Sequence, residues 1–143
     1  MDILKNLTGL FRTQKESESL NSGEFITKIS DGANLVDNKQ TWEHAEEGKD
    51  DIVRMKKCCD AEIQTSLKTR IIPAPFYFRR VAILSRKNKD YEQEIQYCEA
   101  YLQALARVTC EQSSVQVAAL SDWFIKRKNR AEFLSQKHQE KRG

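Results

Sequence analysis

Helices are broken by proline, which lacks an amide hydrogen, and weakened by glycine, which loses the most backbone freedom on ordering. This chain has only two prolines and five glycines in 143 residues. Both prolines fall in one segment, Ile71-Ile72-Pro73-Ala74-Pro75, and residues that favour helix (Lys, Glu, Gln, Leu, Ala) are plentiful around it. The expectation is an all-α chain. Hydrophobic residues are 39% and charged residues 31%, enough apolar side chain for one core beneath a solvated surface. The length suits one domain, since single cores commonly serve about 100–150 residues.

The spacing of apolar residues places the elements. Ile3, Leu4, Leu7, Leu10 and Phe11 recur at steps of three and four, so residues 1–12 form a short amphipathic helix whose face must be covered, by the chain itself, by a second copy or by a membrane surface, for which Lys5 and Arg12 are too few cations to be attractive. Residues 13–24 are polar, with Ser17, Ser19, Ser22 and Gly23, and read as a flexible linker. Residues 25–143 then form a single helical domain with a basic tail. Phe25, Ile26 and Ile29 make a brief apolar patch before turns at Ser30-Asp31-Gly32 and Asp37-Asn38, with any strand confined to residues 25–37. A stripe at Ile52, Met55, Cys59, Ile63 and Leu67 predicts a helix of about five turns, opened by Asp50 and Asp51 and closed by Lys68 and Arg70. Trp42 and Ala45 belong to a preceding turn that breaks near Gly48.

Pro75 suits a first helical position, because its fixed φ is already helical. The helix that it opens runs to about Lys87, Asn88-Lys89-Asp90 make a short turn, and a second helix carries Tyr91, Ile95, Cys98, Leu102 and Leu105 on one face. So short a connection makes the two antiparallel. Beyond Cys110, Glu111-Gln112-Ser113-Ser114 reads as a capped loop, and Val117, Leu120, Trp123 and Phe124 line a last helix. From Lys126 onward there are seven Lys or Arg against two Glu, with only Phe133 and Leu134 suited to packing, so the end is expected to fray.

The hairpin at 76–102 resembles a tetratricopeptide repeat, most closely through Lys89-Asp90-Tyr91-Glu92-Gln93-Glu94-Ile95-Gln96-Tyr97-Cys98-Glu99-Ala100-Tyr101-Leu102. Ala82 falls where that family needs a small residue in its first helix, and Phe78 where it has a large one. Three positions depart from the pattern: Lys89 replaces the turn glycine, Glu94 stands in place of alanine, and Tyr101 is larger than expected. A single repeat cannot bury both its faces, so the helices around 52–67 and 117–124 must flank it. The resemblance also implies a groove lined by exposed residues of the first helix, which holds an extended peptide. Arg79 and Arg86, seven residues apart with Ile83 between and Lys87 beside them, are the partner-binding residues on that reading, since arginine grips carboxylates bidentately.

Common catalytic signatures are missing: there is no glycine-rich phosphate loop, no His-Glu-x-x-His and no glycine-flanked serine. No catalytic residue, cofactor or metal is assigned, and an enzyme lacking a short motif is the third reading. Cys58, Cys59, Cys98 and Cys110 have no metal-binding spacing and read as buried thiols. His44 beside Glu47 is the best polar pair, and its simplest reading is a solvated helix surface.

The segment Met1–Arg12 has Asp2 where an export signal wants positive charge, and no run of about 18 apolar residues occurs, so the chain reads as soluble and cytoplasmic with no membrane span. Residues 1–70 carry 11 basic and 13 acidic groups, against 13 and 8 in residues 71–143. The leading expectation is a non-catalytic helical module that binds a protein or peptide, an adaptor or an accessory protein that self-associates through Ile3, Leu4, Leu7, Leu10 and Phe11. The alternative is an accessory nucleic-acid-binding protein using Arg79, Arg80, Arg86 and the tail residues Lys126, Arg127, Lys128 and Arg130.

Overall fold

The computed structural model of the chain describes residues 21–109 and 115–142. Among these residues the architecture is all-α: helices α1 (Ser22–Ile29), α2 (Ile52–Thr69), α3 (Pro75–Lys87), α4 (Tyr91–Thr109) and α5 (Val115–Arg142), with one short 3-10 turn at Thr41–His44. Helices α2 to α5 pack serially, each on the next, and α4 with α5 is the most extensive contact. The core runs through this stack, from Met55, Cys58 and Cys59 of α2 to Phe78, Val81 and Ala82 of α3, Cys98, Tyr101 and Leu105 of α4, and Phe124 of α5.

Local chemistry sets the boundaries. The polar segment expected to be a linker through Glu24 is helical from Ser22, because Asn21 and Glu24 form a capping box: Glu24 N–H donates to Asn21 Oδ1 at 2.8 Å, and Asn21 N–H to Glu24 Oε2 at 3.3 Å. Phe25, Ile26 and Ile29 therefore lie on a helix. Among the described residues strand is confined to Leu35–Val36 paired antiparallel with Lys39–Gln40, so it extends past the expected limit at residue 37. Between the two pieces Asp37 and Asn38 take φ values of 50° and 64°, the tight-hairpin conformation that Asp and Asn tolerate best.

Asp51 caps α2 by accepting from Arg54 N–H at 3.1 Å, and the helix ends in a left-handed Arg70, φ 58°, whose N–H reaches Ser66 O. The expected α2 stripe is rotated in its last turns. Met55 and Cys59 are buried, but Leu67 is 53% exposed while Thr65 and Ser66 face inward, since the chain leaves for Pro73 on that side.

The hairpin forms where the sequence places it. Pro75 opens α3, Lys89 takes φ 57° in the turn, and Asp90 caps α4 by accepting from Gln93 N–H at 3.1 Å. Ala82 and Phe78 are both fully buried. Tyr101, larger than the repeat pattern expects, fills the space between Phe78 and Phe124, with ring centroids 5.1 and 4.3 Å away, and donates its hydroxyl to Pro73 O at 3.0 Å.

The basic tail does not fray within the described residues. Helix α5 is continuous over 28 residues to Arg142, because α4 gives it a surface to lie on: Ala131 is fully buried, Lys128 Nζ lies 3.3 Å from Glu99, and His138 stacks edgewise on Tyr91 at 5.9 Å. Phe133, expected to pack, is 44% exposed, and the small Ala131 takes the inward position. No helix among the described residues is long and apolar enough to cross a membrane.

Candidate functional site

Seven residues make two helical turns, so Arg79 and Arg86 emerge from one face of α3. Across from them α5 presents Trp123, Lys126, Arg127 and Arg130 at the spacing of a second helical face. These six residues, with Ala119 and Asp122, line an open groove of about 510 Å3.

Two of the lining arginines, Arg86 and Arg127, are held by one buried carboxylate. Glu94 of α4 is fully buried, and both of its oxygens are occupied: Arg86 Nε donates to Oε1 at 3.1 Å, an Arg86 terminal nitrogen approaches Oε2 at 2.9 Å, and Arg127 Nε donates to Oε2 at 2.7 Å. The same Arg86 fork reaches Arg127 O at 3.3 Å. A buried carboxylate is tolerable only when paired and hydrogen-bonded, and this one binds α3, α4 and α5 together. Glu94, which breaks the repeat pattern at the alanine position, is thus a structural residue.

Two guanidinium groups lie over Trp123, with Arg79 and Arg127 each 5.2 Å from its ring centroid, and Arg79 also lies 5.9 Å from Phe124. The stacking orders Arg79 without neutralising it. Its Nε is sealed from solvent with no hydrogen-bond partner, and among the described residues it has no carboxylate partner. Arg130 lies over Phe133 at 5.0 Å and likewise has none. Lys126 pairs with Asp122 at 2.9 Å, but both side chains are largely exposed, and such a pair contributes little. Five cations face two carboxylates here, so the groove is strongly positive.

Of the residues expected to bind a partner, the structure brings Arg79 and Arg86 into this groove. Ile83 is half-buried and Lys87 is exposed at the end of α3, and neither is among the lining residues. Arg86 is committed to Glu94, so its fork positions other groups. The self-association stripe Ile3, Leu4, Leu7, Leu10 and Phe11, Cys110 and the loop Glu111–Ser114 lie outside the described residues. Sequence reasoning missed Trp123 and Glu94 as parts of the site. Their signal was present in the spacing of Trp123 to Arg127 and Arg130, and in an acidic residue at a position that packing should make small.

His44 is buried, and its surroundings differ from a solvated surface. Its Nε2 lies 2.8 Å from Val36 O and Arg54 Nε donates to its Nδ1 at 2.7 Å, which fixes a neutral ring with the proton on Nε2. Glu47 instead approaches Arg54 at 3.6 Å. Among the described residues no group of three or more His, Cys, Asp or Glu is arranged to hold a metal. Cys58, Cys59 and Cys98 are free and buried; burial pushes the Cys58 thiol up to about 11 and Cys98 to about 12, and raises Cys59 further still. Such thiols are inert at neutral pH. No protein-family model, curated protein or solved structure matches the chain.

Proposed function

We propose that this chain is a non-catalytic helical interaction module, tetratricopeptide-like in its α3–α4 hairpin, whose groove between α3 and α5 receives an acidic peptide segment. The observation that carries the reading is Arg79, which lines the groove over Trp123 and has no carboxylate partner among the described residues. A guanidinium already immobilised by stacking loses less entropy when it grips a carboxylate, and the bidentate geometry selects for one. Arg130 offers a second uncompensated charge from the opposite wall, on α5. In the repeat family the first helix lines the peptide groove, and α3 corresponds to that helix.

The nucleic-acid alternative is less well supported. Three of its four tail cations have internal partners: Lys126 with Asp122, Arg127 with Glu94 and Lys128 with Glu99. Fluorescence anisotropy with a labelled peptide rich in Asp and Glu, a neutral peptide of equal length, single-stranded RNA and duplex DNA separates the readings. The acidic peptide is expected to bind more tightly than the other three at moderate salt. Tighter binding of RNA or DNA, with affinity falling steeply as salt rises, overturns the proposal.

The stripe at Ile3, Leu4, Leu7, Leu10 and Phe11 supports a second element of the reading, self-association, because an isolated helix of about twelve residues is marginal in water and needs its apolar face covered. Sedimentation of the full chain should then show concentration-dependent assembly that is lost when residues 1–12 are removed. A full chain that stays monomeric at high micromolar concentration rejects it.

A further inference from the structure

A second cleft, of about 470 Å3, lies away from the cationic groove, between α1, the 3-10 turn, α2 and the segment leading into α3. Its wall is largely apolar, from Ile26, Ile71, Ile72 and Ala74, with Trp42 and Tyr77 as its aromatic members. Trp42 is 62% exposed, and its indole N–H donates to Gln40 Oε1 at 2.6 Å, so the ring is held by its own edge. Gly23 of α1 meets that pair closely enough that a Cβ there would collide with the Gln40 side-chain oxygen.

Two acceptors in the cleft stand out. Glu62 is a largely enclosed carboxylate that receives Thr41 Oγ1 at 2.7 Å on one oxygen and Ala74 N–H at 3.1 Å on the other. Each oxygen keeps a free lone pair, and no cationic side chain among the described residues pairs with Glu62. Burial holds its carboxyl above the usual carboxylate range, with the bonds from Thr41 and Ala74 opposing the shift. Asn34 is 5% exposed; its Nδ2 donates to Thr27 Oγ1 at 2.9 Å, while Thr27 donates onward to Gly23 O. That chain of donors fixes the amide orientation and leaves Asn34 Oδ1 as a buried acceptor without a partner. Thr41 links the two residues, since its hydroxyl donates to the Glu62 carboxylate and its backbone N–H to the Asn34 backbone carbonyl at 3.2 Å.

An unneutralised enclosed carboxylate, an unfilled amide acceptor and two aromatic rings around an apolar space all favour the same guest. We infer that this cleft binds a small organic ammonium ion with an apolar body, its N–H groups toward Glu62 and Asn34 Oδ1 and its charge beside Trp42 and Tyr77. A carboxylate deprived of water gains most from a cation, and ring faces attract one. A neutral or anionic guest of the same shape would leave Glu62 uncompensated.

Calorimetric titration of the full chain tests this, with phenethylammonium as probe and 2-phenylethanol and phenylacetate as neutral and anionic counterparts; N-acetyl-lysine methylamide distinguishes a free amine from a lysine side chain. Phenethylammonium is expected to bind at least tenfold more tightly than either counterpart and than the lysine derivative. Its affinity should fall as pH is lowered and Glu62 becomes protonated. Glu62→Gln, which preserves shape and keeps one acceptor oxygen for Ala74 N–H while its amide can donate to Thr41 Oγ1, should abolish the preference for the ammonium. Equal affinity for phenethylammonium and 2-phenylethanol, or no binding of either by the full chain, overturns the inference, as does a preference that survives in folded Glu62→Gln protein. If that variant does not fold, the charge series and pH dependence of the unmodified chain decide alone. A lysine derivative that binds as well as the free amine overturns the small-molecule assignment.

Discussion

Three residues that depart from the repeat pattern explain how this hairpin differs from a simple one. Lys89 occupies a left-handed position that the turn requires and glycine would fill without strain; Glu94 exchanges a small contact for an ionic clamp; Tyr101 fills the core and bonds to the backbone before α3. The identity of each oddity was legible in the sequence, but its purpose was not, because the groups that answer it are distant: Arg127 lies 33 residues from Glu94, and Pro73 lies 28 from Tyr101. Removing the charge of Glu94 strands two guanidinium groups, so Glu94→Gln should cost about 3–5 kcal/mol, measured by urea denaturation. A loss below about 1 kcal/mol would mean that the clamp is not closed in solution. Tyr101→Phe leaves Pro73 O without its donor and should cost about 1–2 kcal/mol in the same measurement.

At the scale of elements, the sequence is most readable where apolar spacing and capping agree. Helices α2, α3 and α4 lie where Ile52, Pro75 and Tyr91 place their starts, and the turn between α3 and α4 falls at Asn88-Lys89-Asp90. Agreement fails where one signal is silent. Helix α1 rests on the Asn21–Glu24 capping box, which looks like any polar stretch, and the second half of α5 rests on Ala131 and on α4 alongside it. Ala82 is fully buried, so Ala82→Leu should overpack that contact and cost about 1–3 kcal/mol. Unchanged stability would show that the site can expand. Lys89→Gly relieves a left-handed non-glycine residue that costs about 1–2 kcal/mol, against an entropy loss of somewhat less, so a small gain in melting temperature is expected.

For the whole molecule, the serial packing of α2 to α5 makes one continuous core, and three buried thiols report on it. Cys58, Cys59 and Cys98 should resist alkylation at pH 8 in the native protein and react on denaturation, as peptide mapping by mass spectrometry would resolve. Their folded-state values are raised above the ordinary 9.0, to about 11 for Cys58 and about 12 for Cys98. Their contribution to stability is therefore fully present below pH 9 and is lost as pH rises from there through 11 to 12. Denaturation free energy should accordingly be level from neutral pH to about 9 and then decline, whereas a stability that rises over that alkaline range would contradict the burial.

The same packing sets α3 beside α5 and so assembles the groove, which no single segment of sequence displays. The spacing of Arg79 to Arg86 was legible as one helix face, while Trp123, which orders Arg79, and Glu94, which holds Arg86, come from other helices. The most direct measurement is the affinity of the full chain for an Asp- and Glu-rich peptide, compared with Arg79→Gln/Arg130→Gln protein whose circular dichroism and melting temperature match the parent. Two charge-assisted contacts of about 1.5–3 kcal/mol each would be lost, so affinity should fall at least a hundredfold. Unchanged affinity in that folded double variant would contradict the groove as the peptide site.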